Sequence, residues 1–454
     1  MRATVHVKEK FSHKWIFPLI IFVVSIILEN FLGPLLYFHS YKSIMAVQNF
    51  MNEKIKLSIF NNTFIKDDET HKIDEESGSA IFCLIIQILN SNLFYFILCA
   101  IISNFVNSYK STILIYSLFL ANFISAALCF IFHSPRPFMS YYSIKPAIIY
   151  NDWGSPDIRI VTLISFYLTF YEIIIRNKIM NKSIAGKIIV FFLLFLFMLL
   201  DIFFIFSAGD LGYNQIIFSI FTGIVTYMII FFIFKVDVNN TKQFYNFIKF
   251  NISYYLFINL ILIAFQFVLF LFIIDKWDKD FYKAHIDEQQ KRVFYPEFFT
   301  NFFNFRQHFY LDKGNFNNVI CFAMNIICFL SLKIELYCSF KGDYNQWSRS
   351  NFEYLKGEKR LLDYQDEEFF EDENTQWNHT PGYKTFIRVI LTIIFCAICL
   401  VPTVIIYAIF KVENNDAMAF IFITAIPLLL MTLGIFYLFK IIFRCMKLAQ
   451  KKIR

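Results

Sequence analysis

Arg136, Asp157, Arg159, Asp201 and Asp210 are the residues whose types and positions bear most directly on chemistry, because all five stand at or near the ends of long apolar runs. An ionisable group at such a depth is costly unless an opposite charge lies beside it. Two guanidiniums and three carboxylates at adjoining helix ends therefore predict an ion-pair cluster. Arg136 or Arg159 should meet Asp157, Asp201 or Asp210 within about 6 Å, the range of direct pairing. Glu29 and Glu172, inside other apolar runs, could join this cluster or reach an interface. Metal chemistry finds no footing: no two of the eight histidines have ligand spacing, and Cys396-x-x-Cys399 falls within an apolar run, where thiols usually pack as small hydrophobes. No metal and no cofactor is expected.

The elements that must position these groups are membrane helices. Hydrophobic residues make up 57% of the 454, and the mean hydropathy is +0.53, more apolar surface than a soluble domain can bury. Ten segments reach the roughly 20 apolar residues a span requires: 15–38, 80–105, 111–133, 158–176, 187–206, 213–235, 252–275, 317–337, 384–410 and 418–440. The fold class is thus an all-α polytopic membrane protein. The 62 phenylalanines, set against 12 glycines and 10 prolines, fit an AT-biased genome better than a functional demand for aromatics.

The short basic N-terminus 1–14 and the Lys/Arg-rich flanks after alternate spans predict that both termini are cytosolic. Residues 39–79 then form a lumenal loop with a glycosylation sequon at Asn61-Asn62-Thr63, and 276–316 form a second, aromatic one. The cytosolic loop 339–383 carries an acidic run from Asp363 to Glu373, a solvated segment or a dock for a basic partner. Cys445, beyond the last span, is a candidate for palmitoylation. The net charge of +7 is spread over short connecting segments, so nucleic-acid binding is not indicated.

Three short elements at the ends of the third to sixth spans carry a family resemblance. They run from Cys129 to Pro137, from Gly154 to Arg159, and from Ser207 to Asn214. In order and spacing they resemble the type 2 phosphatidic acid phosphatase (PAP2) superfamily, whose pattern is Lys-x6-Arg-Pro, then Pro-Ser-Gly-His, then Ser-Arg-x5-His-x3-Asp. The resemblance covers roughly residues 80 to 235 and implies a six-helix bundle over 15–240, to which 241–454 add a four-helix extension. It also implies a site built for phosphohistidine chemistry on lipid phosphates.

Several residues depart from that pattern. Arg136, Pro137 and Ser207 match it, but the lysine is Cys129 and the second arginine is Ala208. Arg159 replaces the general-acid histidine, Asn214 the nucleophilic histidine and Phe218 the orienting acid. A guanidinium does not release its proton at physiological pH. Asp157 adds a carboxylate where a phosphate oxygen would sit, so the pocket should repel phosphate.

The resemblance with these losses implies a catalytically inactive pseudophosphatase that binds lipid or serves as a subunit of a membrane assembly, in the endoplasmic reticulum or another endomembrane. Its partners would be membrane lipids and other membrane proteins. Two alternatives stand beside it: an active lipid phosphate or diphosphate phosphatase with a rearranged site, and a channel or transporter. The transporter reading lacks the Gly/Pro-broken helix pair that builds midplane binding sites.

Overall fold

The computed structural model describes residues 16–54, 92–105, 108–132, 134–141, 143–144, 154–175, 184–233 and 382–410, with scattered positions between 430 and 448. Every regular element among these is helical. They are α1 (Ile16–Lys54), α2 (Asn92–Phe105), α3 (Ser108–Phe132), the single turn α4 (Pro137–Ser140), α5 (Ile158–Ile175), α6 (Ile184–Ser207), α7 (Tyr213–Met228) and α8 (Gly382–Phe410). A π-helical turn, Ile229–Ile233, continues α7. Among the described residues four stretches are long and apolar enough to cross a membrane: Ile16–Phe50, Ile158–Ile175, Ile184–Ser207 and Tyr213–Phe232. Of the ten expected spans, 252–275 and 317–337 lie outside the described residues, as does most of 418–440. So do the N-terminus 1–14, the sequon, the loop 276–316, nearly all of 339–383, and His133.

The largest departure from the sequence expectation is α1. The apolar run predicts an end at 38, yet the helix continues through 39 residues to Lys54. At about 1.5 Å per residue it is about 58 Å long, roughly twice a bilayer's hydrocarbon core. Tertiary packing carries the extra turns. Ser40, Ile44 and Gln48 recur at helical spacing on one face, and all three are buried. Residues 39–54 are therefore helix, not the start of an open loop 39–79. Pro34, inside α1, has no N–H to give to the carbonyl one turn back. It separates the apolar first half of the helix from this mixed second half.

α7 lies at the centre of the bundle, packed on α1, α5 and α3, while α3 also packs on α5 and α2. α6 lies against α5, and α8 against α2. α5 and α7 approach closely at Gly223, where a Cβ would stand 2.7 Å from Ile164 Cβ. Small residues allow such backbone proximity between membrane helices. Between α3 and α5, the Ser117 hydroxyl is 2.8 Å from Ser165 Oγ and 3.0 Å from Thr169 Oγ1. Hydroxyl bonds of this kind satisfy polar groups where no water is at hand.

The outward surfaces are the reverse of a soluble protein's. Phe31 on α1 is 79% exposed and Ile184 on α6 is 75% exposed, with Ile188, Phe192, Leu196 and Leu199 exposed along the same helix. Apolar side chains outside and hydroxyls, amides and charges inside are what a hydrocarbon solvent selects.

Candidate functional site

Three connections meet at one end of the bundle: 134–136 after α3, 154–157 before α5, and 208–212 between α6 and α7. Local rules shape each. Asp157 caps α5, its Oδ1 accepting the Arg159 N–H at 2.9 Å. A short acceptor at this position satisfies one of the N–H groups a helix start leaves without an intrahelical partner. The Asp157 N–H in turn donates to Ser219 Oγ on α7 at 2.8 Å. At the start of α7, Gln215 Oε1 accepts the Gly212 N–H at 3.0 Å and Ser40 Oγ accepts the Tyr213 N–H at 2.7 Å. Gly209 turns the chain between α6 and α7 at φ +76°, in the left-handed region that favours glycine. Gln215 Nε2 ties this connection to the first one, donating to Ser134 Oγ at 3.0 Å and to the Pro135 carbonyl at 2.8 Å.

Four of the five charged residues singled out from the sequence converge here. Arg136 Nη2 lies 2.9 Å from Asp157 Oδ2. Arg159 grips the same carboxylate through Nε at 3.0 Å to Oδ1 and Nη2 at 3.1 Å to Oδ2, and its Nη1 reaches Asp210 Oδ2 at 2.9 Å. Arg136 Nη1 also donates to the Asp210 carbonyl at 3.3 Å. Arg136 is 0% exposed, and Asp157, Asp210 and Arg159 are all buried. The four charges sum to zero, the arrangement under which burial is tolerable. Bidentate guanidinium–carboxylate geometry adds strength and direction. The fifth residue, Asp201, is buried in α6.

The other positions matched to the family pattern play packing or backbone roles. Cys129 is buried in the last turn of α3. Phe218 is buried in α7, its ring edge-on to Phe132 at 4.9 Å between centroids. Ser207 donates to the Phe204 carbonyl at 3.0 Å, and its own carbonyl accepts Gln48 Nε2 at 3.2 Å. Ala208 continues the helix, its N–H bonded to the Phe204 carbonyl at 2.9 Å. Asn214 is buried and donates from Nδ2 to Glu29 Oε1 at 3.1 Å, while its Oδ1 has no hydrogen-bond partner.

α1 organises far more of this end than its apolar run announces. Glu29, Gly33, Tyr37, Ser40, Ile44 and Gln48 form one stripe, spaced four or three residues apart. The Glu29 carboxylate accepts Ser155 Oγ at 2.9 Å. Tyr37 donates to the Arg136 carbonyl at 3.1 Å, and its hydroxyl lies 2.9 Å from Ser140 Oγ. Tyr41, one position off the stripe, stacks on Tyr141 at 4.3 Å between centroids. The spacing is legible in the sequence as a helical face of small and polar residues within an apolar run. Gln215, three residues after Gly212, likewise fits the position from which a glutamine reaches back to an N-cap amide.

Chemically, the Asp157 carboxylate is saturated. Asp157 accepts four hydrogen bonds and has no oxygen left for a proton or a substrate. The only described histidine, His39, is exposed on α1. Burial pushes the Asp210 carboxyl above its ordinary range, against the opposing pull of Arg159 and Arg136, and its Oδ1 makes no hydrogen bond. Among the described residues no cluster of His, Cys, Asp and Glu side chains could hold a metal ion. No family model matches the chain, and no curated protein or solved structure matches it.

Proposed function

We propose that this chain is a catalytically inactive, PAP2-like membrane protein, a pseudophosphatase that binds lipid or acts as a subunit of a membrane assembly. On this reading the described helices belong to a ten-span protein of the endoplasmic reticulum or another endomembrane. Both termini face the cytosol and the three connections face the lumen. The observation that carries the reading is the Asp157 carboxylate, bonded to both Arg136 and Arg159. In a working phosphatase, guanidiniums at such positions would hold phosphoryl oxygens and stabilise the charge that develops in the transition state. Here two internal carboxylates, Asp157 and Asp210, already neutralise them. Arg159 stands where the resemblance expects the proton donor and Asn214 where it expects the nucleophile. A carboxamide does not form a phosphoenzyme, and residues that act as one catalytic unit fail together.

The test is phosphate release by the purified protein in lipid nanodiscs, with phosphatidate, a sphingoid-base phosphate and an isoprenyl diphosphate as substrates. The reading expects turnover no greater than that of nanodiscs without protein. Release that disappears on Arg136→Ala, or a covalent phospho-adduct trapped on the chain, would overturn it.

A further inference from the structure

Three anion positions at this end of the bundle are each filled by a carboxylate of the chain itself. Asp157 and Asp210 occupy the guanidiniums. The third position differs in kind. Glu29 makes no salt bridge among the described residues. Its Oε1 instead accepts two neutral donors from separate connections, Ser155 Oγ at 2.9 Å and Asn214 Nδ2 at 3.1 Å.

We infer that Ser155 and Asn214 form an anion-binding slot for a small carboxylate or phosphoryl oxygen, and that Glu29 is its internal ligand, pressed into place by α1. Ser155 is 0% exposed and Asn214 is 5% exposed, so both donors face inward. Asn214 makes its side-chain bond to Glu29 alone, since Oδ1 has no partner. Convergent donors without counter-charge are a common way to hold an oxyanion. α1 is fastened to the same connections beyond Glu29, through Tyr37 to the Arg136 carbonyl, Ser40 to the Tyr213 N–H and Gln48 to the Ser207 carbonyl. The carboxylate therefore withdraws only if these fastenings break. The helix also lies close over the slot: a Cβ on Gly33 would be 3.8 Å from the Glu29 carboxyl carbon and 3.9 Å from Asn214 Nδ2. This slot deepens the reading of an internally filled pocket, on which it rests.

Glu29→Ala vacates the slot and leaves the guanidinium–aspartate pairs in place. In detergent the variant should melt below the parent protein. Sodium formate should then raise its midpoint by several degrees and saturably, as expected of a ligand that binds the folded state. Sodium chloride at equal ionic strength should not, and the parent should respond alike to both salts. Inorganic phosphate is the second arm: recovery by formate alone marks a carboxylate slot, and recovery by phosphate as well marks one that also admits phosphoryl oxygen. Midpoints unmoved by either anion, or moved equally in parent and variant, overturn the inference.

If Glu29→Ala does not accumulate, a cycle of Glu29→Leu, Asn214→Leu and the double variant decides the matter. The double variant should melt no lower than the worse single one, because both singles remove the same contact. Additive losses overturn the slot. Turnover of a lipid phosphate would overturn the proposed function while leaving the slot standing, and a failed anion response would remove the slot alone.

Discussion

The connection end of the bundle and the outer face of α6 invert one another. At the connections, guanidiniums, carboxylates, amides and hydroxyls are buried and bonded, with Arg136 and Ser155 at 0% exposure. On α6, Ile188, Phe192, Leu196 and Leu199 stand exposed. In water the second surface would be the liability. In hydrocarbon it costs nothing, and the risk moves to the first, where each polar group must find its partner inside the protein. Sequence changes should therefore have opposite weights in the two regions: removing one charge inside should matter far more than removing several apolar groups outside.

The largest expected effect is Asp157→Ala. It leaves Arg136 and Arg159 facing each other without the shared carboxylate and removes the α5 cap, so unfolding in detergent should show a loss of about 3–5 kcal/mol. A loss under about 1 kcal/mol, the scale of an exposed pair, would mean that the cluster is hydrated and the contrast between the two regions false.

Gly223→Leu should come next. It drives a side chain into Ile164, where even a Cβ would be 2.7 Å away, and overpacking of this sort costs about 1–3 kcal/mol. Its midpoint, set against that of Gly33→Ala, where a Cβ meets nothing closer than 3.8 Å, separates tight helix contact from a general intolerance of glycine replacement.

Asp210→Asn should have a smaller effect, on the order of 1–2 kcal/mol, the worth of a hydrogen bond to a charged group. The sign follows from Asp210 being raised by burial. A carboxyl whose folded-state pKa exceeds its unfolded value favours folding below the unfolded pKa and loses that contribution as pH rises through the folded one. The contribution of Asp210 is thus largest at low pH and falls as its carboxyl ionises. Stability should change less steeply between about pH 4 and 7, above the usual carboxylate range, in Asp210→Asn than in the parent. Equal slopes would contradict that assignment. Smallest of all should be Phe192→Ala on the outer face, within about 0.5 kcal/mol of the parent. A larger loss would show that something other than lipid packs there.

The sequence reveals the inside of this comparison better than its outline. Helix ends at Pro137, Ile158, Ser207 and Tyr213 fall where proline, aspartate and glycine punctuate apolar runs, and the cost of unpaired charge is enough to draw Arg136, Asp157, Arg159 and Asp210 together. The length of α1 is not legible in the same way. Past residue 38 hydropathy falls, and only contacts with connections more than a hundred positions away keep Ser40, Ile44 and Gln48 in a helix. Long-range contacts of that kind also decide that Ser155 and Asn214 meet Glu29. Neither composition nor periodicity encodes which surface turn such a helix will cross.

Orthovanadate, which takes the geometry of a phosphoryl group in transfer, tests the self-filled site most directly. Titrated into the purified wild-type protein and followed by vanadium-51 resonance, it should show no saturable binding at millimolar concentration, an order-of-magnitude ceiling for weak ligands, because Asp157 already holds both guanidiniums. Saturable binding that Arg136→Ala abolishes would contradict a site closed by its own carboxylate.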